Sequence, residues 1–404
     1  MDPSSNDVVP SKRIMLGRRP SITTASDISP SESSSPPATP VSEYQATATQ
    51  TSPSDHGSAA CDRNLRDIMA ADAQYVRIPD CFSSIMSVEP AMNVNWERLK
   101  EEANAWIKDI YHLSDAQAKK HSRANFAFMN AMWIPYADEE SFRVMLDWNN
   151  WEIVEFDEGH LKDDPIKAQK ELDAHMAILE DKNPPVQRDD NPIHYVFQTT
   201  WDRFKKVIFQ LLQVSASMKG YFEGLIGQVK VQESQKALKI SVKQYMDFRR
   251  ATIACEPCYA LVEYAHGISI SQEQVDHESV QTCMQTASDL VILVNDILSY
   301  RKDLEQGVDH NLISLLKAQG YSTQAAVDKI GDMIDECYKR WYGAMVRMPL
   351  WGEKIDREVL RYLDGCRNIA LGNLHWSYES GRYLGAEGAE VRQTRIMRLP
   401  SPGV

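Results

Sequence analysis

An all-α domain of ten or more helices is the architecture this sequence predicts. Three observations predict it. Apolar residues recur at three- and four-residue steps through most of residues 75–400, the period of helices that bury one face. Alternating apolar and polar runs are nearly absent, and no Asn-Gly or Asp-Gly pair joins two such runs into a hairpin. No internal repeat is visible, which leaves an all-α domain as the reading.

Residues 1–74 are dominated by Ser, Thr, Pro, Ala and Asp, as in "SITTASDISPSESSSPPATPVSEYQATATQ". Such a segment has too little apolar surface to offset its ordering entropy, so a disordered tail is expected. The folded domain is expected over 75–404, from "YVRIPDCF" onward. Within it, "VQTCMQTASDLVILVNDILSYRK" sets Val280, Cys283, Met284, Ala287, Val291, Val294 and Leu298 at helical steps. "YSTQAAVDKIGDMIDECYKRWYGAM" repeats the pattern with Val327, Ile330, Met333, Ile334 and Cys337, and Ser322 is a natural N-cap for it. "REVLRYLDGCRNIALGNLHWSY" gives another long helix.

Composition narrows the function. The chain has 404 residues, 43% of them hydrophobic, enough for a substantial core. A formal net charge of −13 argues against a general nucleic-acid or anionic-membrane binder, while leaving room for a local basic pocket. Seven scattered cysteines suit free thiols in a reducing compartment. Cys255 and Cys258 form one isolated C-x-x-C, which reads as core thiols, since structural zinc wants a second pair or histidines. The N-terminus has no apolar signal region, and no run approaches the roughly 20 apolar residues of a membrane span. A cytoplasmic protein is expected.

Two segments carry chemistry. In "NDILSYRKDLEQG", Asn295, Ser299 and Asp303 stand at i, i+4 and i+8, one stripe of oxygen donors at the end of an apolar helix. Hard oxygen ligands of moderate charge suit magnesium shared with a substrate's phosphates, and Arg301 and Lys302 flank the stripe. Against this stands the plainer reading of a solvated helix end. Fixed cations for a diphosphate are offered by Arg249 and Arg250 in "QYMDFRRATIA" and by Arg382 in "GRYLG", where Tyr383 adds a phenolic donor. Phe126, Phe128, Trp133, Trp148, Trp151, Trp376 and Tyr378 fall on predicted helices. Core packing is their default role; rings that line a pocket instead offer negative faces to a carbocation. The second segment, "EFDEGHLKDD", holds Glu155, Asp157, Glu158, Asp163 and Asp164. Asp157 is its first candidate metal ligand and Glu158 its second, with Asp163 and Asp164 read as solvated beside Pro165.

Together these segments resemble the class I terpene synthases, and among them the fungal sesquiterpene cyclases; "DWNNW", "FDEGHLKDDP", "NDILSYRKDLEQGVDHNLISLL" and "GRYLG" carry the likeness, from about Tyr75 to Pro400. The resemblance implies a single helical bundle around a deep apolar cavity. It implies three magnesium ions that clamp the diphosphate of farnesyl diphosphate, and a polycyclic hydrocarbon or alcohol product, presilphiperfolanol-type products included. Asn295, Ser299 and Asp303 occupy the family's second metal motif, with Asp303 where many members carry Glu. Lys302 takes the diphosphate-contacting basic position, Arg249 the diphosphate-sensing one with Arg250 as its alternative, and Arg382 and Tyr383 the C-terminal diphosphate pair. A small-molecule substrate and a monomer or homodimer follow from the same likeness.

The chain departs from that pattern twice. The interval between Trp151 and "FDEGHLK" is three residues shorter than in relatives, so either Asp157-Glu158 leads the first acidic motif or the leading pair is missing. A catalytically impaired diphosphate-binding paralogue is therefore the alternative to an active cyclase. Second, Ala254 follows "RRATI", where relatives of this type often have Gly; alanine makes a helix break there harder.

Overall fold

The computed structural model describes residues 75–156, 165–206, 211–233 and 239–400, so the predicted tail 1–74 lies outside it. A short strand, β1 (Tyr75–Arg77), opens this part of the chain. Helices α1 (Trp96–Ile110), α2 (Asp115–Ala124), α3 (Phe126–Trp133), α4 (Glu139–Phe156), α5 (Pro165–Leu179), α6 (Pro192–Lys205) and α7 (Leu211–Glu233) follow. Then come α8 (Val242–Thr252), α9 (Cys255–Ala265), α10 (Gln272–Val275), α11 (Glu278–Glu305), α12 (Leu312–Ala318), α13 (Thr323–Val346), α14 (Glu353–Glu379) and α15 (Gly388–Thr394). A second strand, β2 (Ile396–Arg398), closes back on β1 as an antiparallel pair with Val76 opposite Met397. The predicted all-α class holds, with this three-residue ribbon as its one addition among the described residues.

Local chemistry sets many of the boundaries. Ser114 and Ser241 each close a capping box with a glutamine three residues on, which satisfies two otherwise orphaned N–H groups at the starts of α2 and α8. Ser322 accepts from the Ala325 amide and starts α13, the cap the sequence predicts. Helix α11 is the centre of the bundle. From Thr286 through Val294 every residue is buried, so it is wrapped on all sides, most extensively by α13 and α14. Gly365 lets α14 close on α9, because a Cβ there would sit 2.2 Å from Val262 Cγ1.

The core sorts the predicted aromatics. Trp148 and Trp151 do not line the large cavity of the molecule; they pack in tilted contacts with Phe197, and the ring centroids of Trp151 and Phe197 lie 4.5 Å apart. Trp151 Nε1 donates to His175 Nε2 at 3.1 Å, and His175 also meets the Glu171 carbonyl at 2.8 Å. Burial pushes this imidazole down to about 3, so it stays neutral and can accept from the indole. Complete burial of a side chain as large as Trp151 contributes on the order of 3 kcal/mol. Its effect is to fix α4, the helix that leads into the first acidic segment. Phe128 packs on Trp96, and Tyr378 on Phe82.

Candidate active site

A cavity of about 300 Å³ opens at the C-terminal half of α11, at the small end of the usual range for ligand pockets. Its lining is of two chemical kinds. Asn295, Ser299, Lys302 and Asp303 from α11, Arg249 from α8, and Arg382 and Tyr383 after α14 line one side. Phe126, Met129 and Trp133 from α3, Leu225 from α7, Val291, Ile369 and Trp376 supply apolar and aromatic wall. Three of the predicted aromatics therefore do face the cavity: Phe126, Trp133 and Trp376.

The stripe on α11 is tightly organised. Ser299 Oγ donates to Asp303 Oδ2 at 2.7 Å, and Asn311 Nδ2 donates to the same oxygen at 2.9 Å. Asn295 donates its amide to the Tyr383 hydroxyl at 2.9 Å and accepts from Arg249 Nη2 at 3.3 Å. Tyr383 thus fixes the amide with its oxygen towards the guanidinium. Lys302 Nζ stands 5.8 Å from the Tyr383 ring centre, and the Arg382 guanidinium is 5.6 Å from it and 5.9 Å from the Trp376 ring. Arg301 has a different task. It donates to the Tyr383 and Leu384 carbonyls at 3.2 Å and pairs with Glu387 at 2.6 Å, which ties the Arg382–Tyr383 segment to α11.

The two adjacent arginines diverge. Arg249 reaches the cavity, where its Nη2 stands 3.5 Å from Asp296 Oδ1. Burial opposes its charge, and Tyr245, Asp296 and Asp303 more than restore it. Arg250 does not line the cavity. Its Nε and Nη2 grip buried Asp289 at 2.6 and 3.0 Å, and Arg340 from α13 joins the same carboxylate. That cluster fastens α8 to α11 and α13.

Several residues here carried no sequence signal strong enough to single them out. Asp296 is almost fully buried; it accepts from the Tyr245 hydroxyl at 2.6 Å and the Leu312 amide at 3.0 Å, so it fixes the position of α8 and α12 against α11. A carboxylate inside an apolar helix run is the signal that could have marked it. His310 lines the cavity with both ring nitrogens unpartnered among the described residues, and burial and the Arg249 charge push it down to about 3. Tyr221, Gln228, Asn149 and Asn373 also face the cavity.

Cys255 and Cys258 form the first turn of α9, both buried, both on the cavity wall. Burial pushes the Cys255 thiol up to about 12, so it is inert, as the core-thiol reading expects. Cys81, Cys255, Cys258, Cys283, Cys337 and Cys366 are all free thiols. No three His, Cys, Asp or Glu side chains cluster as a metal site among the described residues. The α11 stripe differs in kind, since it draws on an amide, a hydroxyl and one carboxylate, a set of hard oxygens that fits magnesium. Asp157 and Glu158 follow directly after α4 and lie outside the described residues. No helix among the described residues is long and apolar enough to cross a membrane.

The helix break next to Arg249 is present despite the alanine. Helix α8 ends at Thr252, α9 starts at Cys255, and Ala254 between them has φ 59° and ψ 15°. This left-handed conformation costs a non-glycine residue about 1–2 kcal/mol. Ala254→Gly is expected to raise the unfolding free energy by about 0.5–1 kcal/mol, the strain removed less glycine's extra entropy in the unfolded chain. Denaturant unfolding checks this, and a lower midpoint for the glycine variant would contradict it.

Comparison with known proteins agrees with this geometry. Residues 148–340 match the family described as Terpene synthase family 2, C-terminal metal binding. The (+)-eremophilene synthase of Gibberella fujikuroi is 42% identical over 330 residues, 80% of this chain and 92% of that protein. From the same organism, a protein named inactive (1R,4R,5S)-(-)-guaia-6,10(14)-diene synthase is 37% identical over 82% of this chain and 86% of its own. The crystal structure of germacradien-4-ol synthase from Streptomyces citricolor superposes with a TM-score of 0.63 at 16% identity, covering 74% of this chain and 99% of that one, a likeness of fold. The family's metal-binding domain brings with it a dependence on divalent metal. By its relatives and its matched domain, the chain belongs to the class I terpene synthases, among the fungal sesquiterpene cyclases.

Proposed function

We propose that this enzyme ionises farnesyl diphosphate and cyclises the resulting cation to a polycyclic sesquiterpene hydrocarbon or alcohol. One observation carries the reading: a single cavity has oxygen donors and cations on one side and apolar and aromatic wall on the rest. In this reading Asn295, Ser299 and Asp303 hold magnesium, with Asp157 and Glu158 as the other acidic group and three ions as the full complement. Bound magnesium supplies neutralisation of the charge that grows on the leaving diphosphate.

The chain's own residues do the rest. Arg249, Lys302 and Arg382 are the cations that meet the diphosphate, and Tyr383 donates a hydrogen bond to it. Arg250 is left out of this set because Asp289 occupies it. Leaving-group charge is thereby stabilised while Phe126, Trp133 and Trp376 screen the cation from water. The reading includes a cytoplasmic enzyme, monomer or homodimer, to which the buried free thiols are suited.

Purified protein incubated with magnesium and farnesyl, geranyl or geranylgeranyl diphosphate, with extracts resolved by gas chromatography, tests this. Farnesyl diphosphate is expected to give cyclic product. Absence of product from all three, where a related cyclase turns over, would sink the proposal. That outcome would favour the second reading, a diphosphate-binding paralogue without turnover. The shortened interval after Trp151 and the relative named inactive are what favour it. Restoring three residues ahead of Phe156 would then be expected to restore product.

A further inference from the structure

The cavity wall and the helices that form it contain polar groups that the proposed ionisation does not use. Asn130 Nδ2, Trp133 Nε1 and Asn373 Nδ2 are each buried and have no hydrogen-bond partner among the described residues. They gather at one seam. Asn130 precedes Trp133 by about one turn of α3. On α14, a Cβ at Gly372 would lie 2.9 Å from Trp133 Nε1, so Asn373 is next to the residue that touches the indole. Asn149 of α4 donates its Nδ2 to Asn130 Oδ1 at 2.5 Å.

Asn149 and Asn373 line the cavity, among the apolar side chains Met129, Trp133 and Ile369. The nitrogen of Asn149 is taken by Asn130, and that of Asn373 is shut into the seam. We infer that both amides turn their oxygens to the cavity, and that these two fixed dipoles determine which carbocations the enzyme carries through cyclisation. The inference rests on the cyclase reading above. An amide oxygen presents the negative end of a dipole in a dry, low-dielectric space, where it stabilises a nearby cation strongly and needs no reorganisation. Being neutral, it does so without the full charge that would draw metal away from the α11 stripe.

The energetic pattern fits a functional role better than a structural one. Each buried N–H left without an acceptor costs about 1–3 kcal/mol, and apolar side chains of similar shape would avoid that cost. Asn373→Leu and Asn149→Leu separate the two roles. With farnesyl diphosphate and magnesium, the share of the main cyclic product is expected to fall at least about threefold, in favour of products with fewer rings. Diphosphate release is expected to fall by less; the thermal midpoint of Asn373→Leu is expected to stay level or rise, and that of Asn149→Leu to fall, because Asn130 Oδ1 loses its donor. An unchanged product mixture with an active wild type would overturn the inference and leave the cyclase reading intact. A lowered midpoint in Asn373→Leu, which can be read even if the wild type makes no product, would mark that asparagine as structural and overturn it too. A wild type without turnover would count against the cyclase reading instead.

Discussion

Asn295→Ala is expected to lower magnesium-dependent diphosphate release on the order of 10³-fold, with little change in folding stability. The expectation follows from how the amide is held. Tyr383 accepts from its nitrogen at 2.9 Å, so its oxygen is oriented before any ligand arrives, at the side of the cavity where Ser299 and Asp303 also stand. Truncation removes one oxygen from a short set, and Tyr383 loses one of its hydrogen bonds as well. The fold loses little, because Asn295 is only partly buried and its two hydrogen bonds are to cavity residues rather than to the core. Asn295→Asp is a different case. It keeps an oxygen but adds a negative charge beside Asp296, and the extra charge opposes the diphosphate. Release of inorganic diphosphate at saturating magnesium, with the thermal midpoint as control, measures both variants. Retention of more than about a tenth of wild-type release by Asn295→Ala would exclude this residue as an essential ligand.

The difference between what the sequence made legible and what it left open has a physical pattern. Long helices with one apolar stripe were legible: the heptad-like steps of Val280 to Leu298 and Val327 to Cys337 fall within α11 and α13. So was the oxygen stripe, because i, i+4 and i+8 stay on one face whatever the helix packs against. Helix rotation was not legible. Neighbouring residues on a helix point about 100° apart, so Arg301 and Lys302, or Arg249 and Arg250, take different surroundings that only the packing decides. Trp148 went to a core cluster while Trp133 went to the cavity. The β1–β2 ribbon has three residues per strand, too few for an alternating pattern to stand out. Asn149 and Asn373 were silent for a related reason: a single amide within a helix run looks like tolerated polarity until its neighbours are known. At Ala254 the sequence pointed to a conflict, and the backbone resolves it by accepting strain rather than by continuing the helix.

The adjacent arginines put the rotation argument to its strictest test, and their methionine variants are expected to fail in opposite ways. Arg249 is loosely held, at 3.3 Å from Asn295 and 3.5 Å from Asp296, with its Nε unpartnered among the described residues. A cation held that loosely is poised to exchange its partners for a phosphate's oxygens. In Arg249→Met, Asp296 keeps Tyr245 and Leu312 as donors, and burial already pushes its carboxyl up, so it can take a proton rather than stay as an unpaired charge. Turnover is expected to fall roughly 10²- to 10³-fold, while stability changes by about 1 kcal/mol or less. Arg250 is the reverse. Its forked grip on Asp289 at 2.6 and 3.0 Å belongs to a carboxylate that is 2% exposed, and Arg340 alone would remain to balance it. Arg250→Met is therefore expected to cost about 3 kcal/mol, seen as a thermal midpoint lower by roughly 5 °C, and to reduce turnover mainly through loss of folded protein. Specific activity per folded molecule, read below the midpoint, separates the two. If Arg250→Met lost that activity while Arg249→Met kept it, α8 would have to be rotated by about one residue's turn, and Tyr245 could no longer reach Asp296.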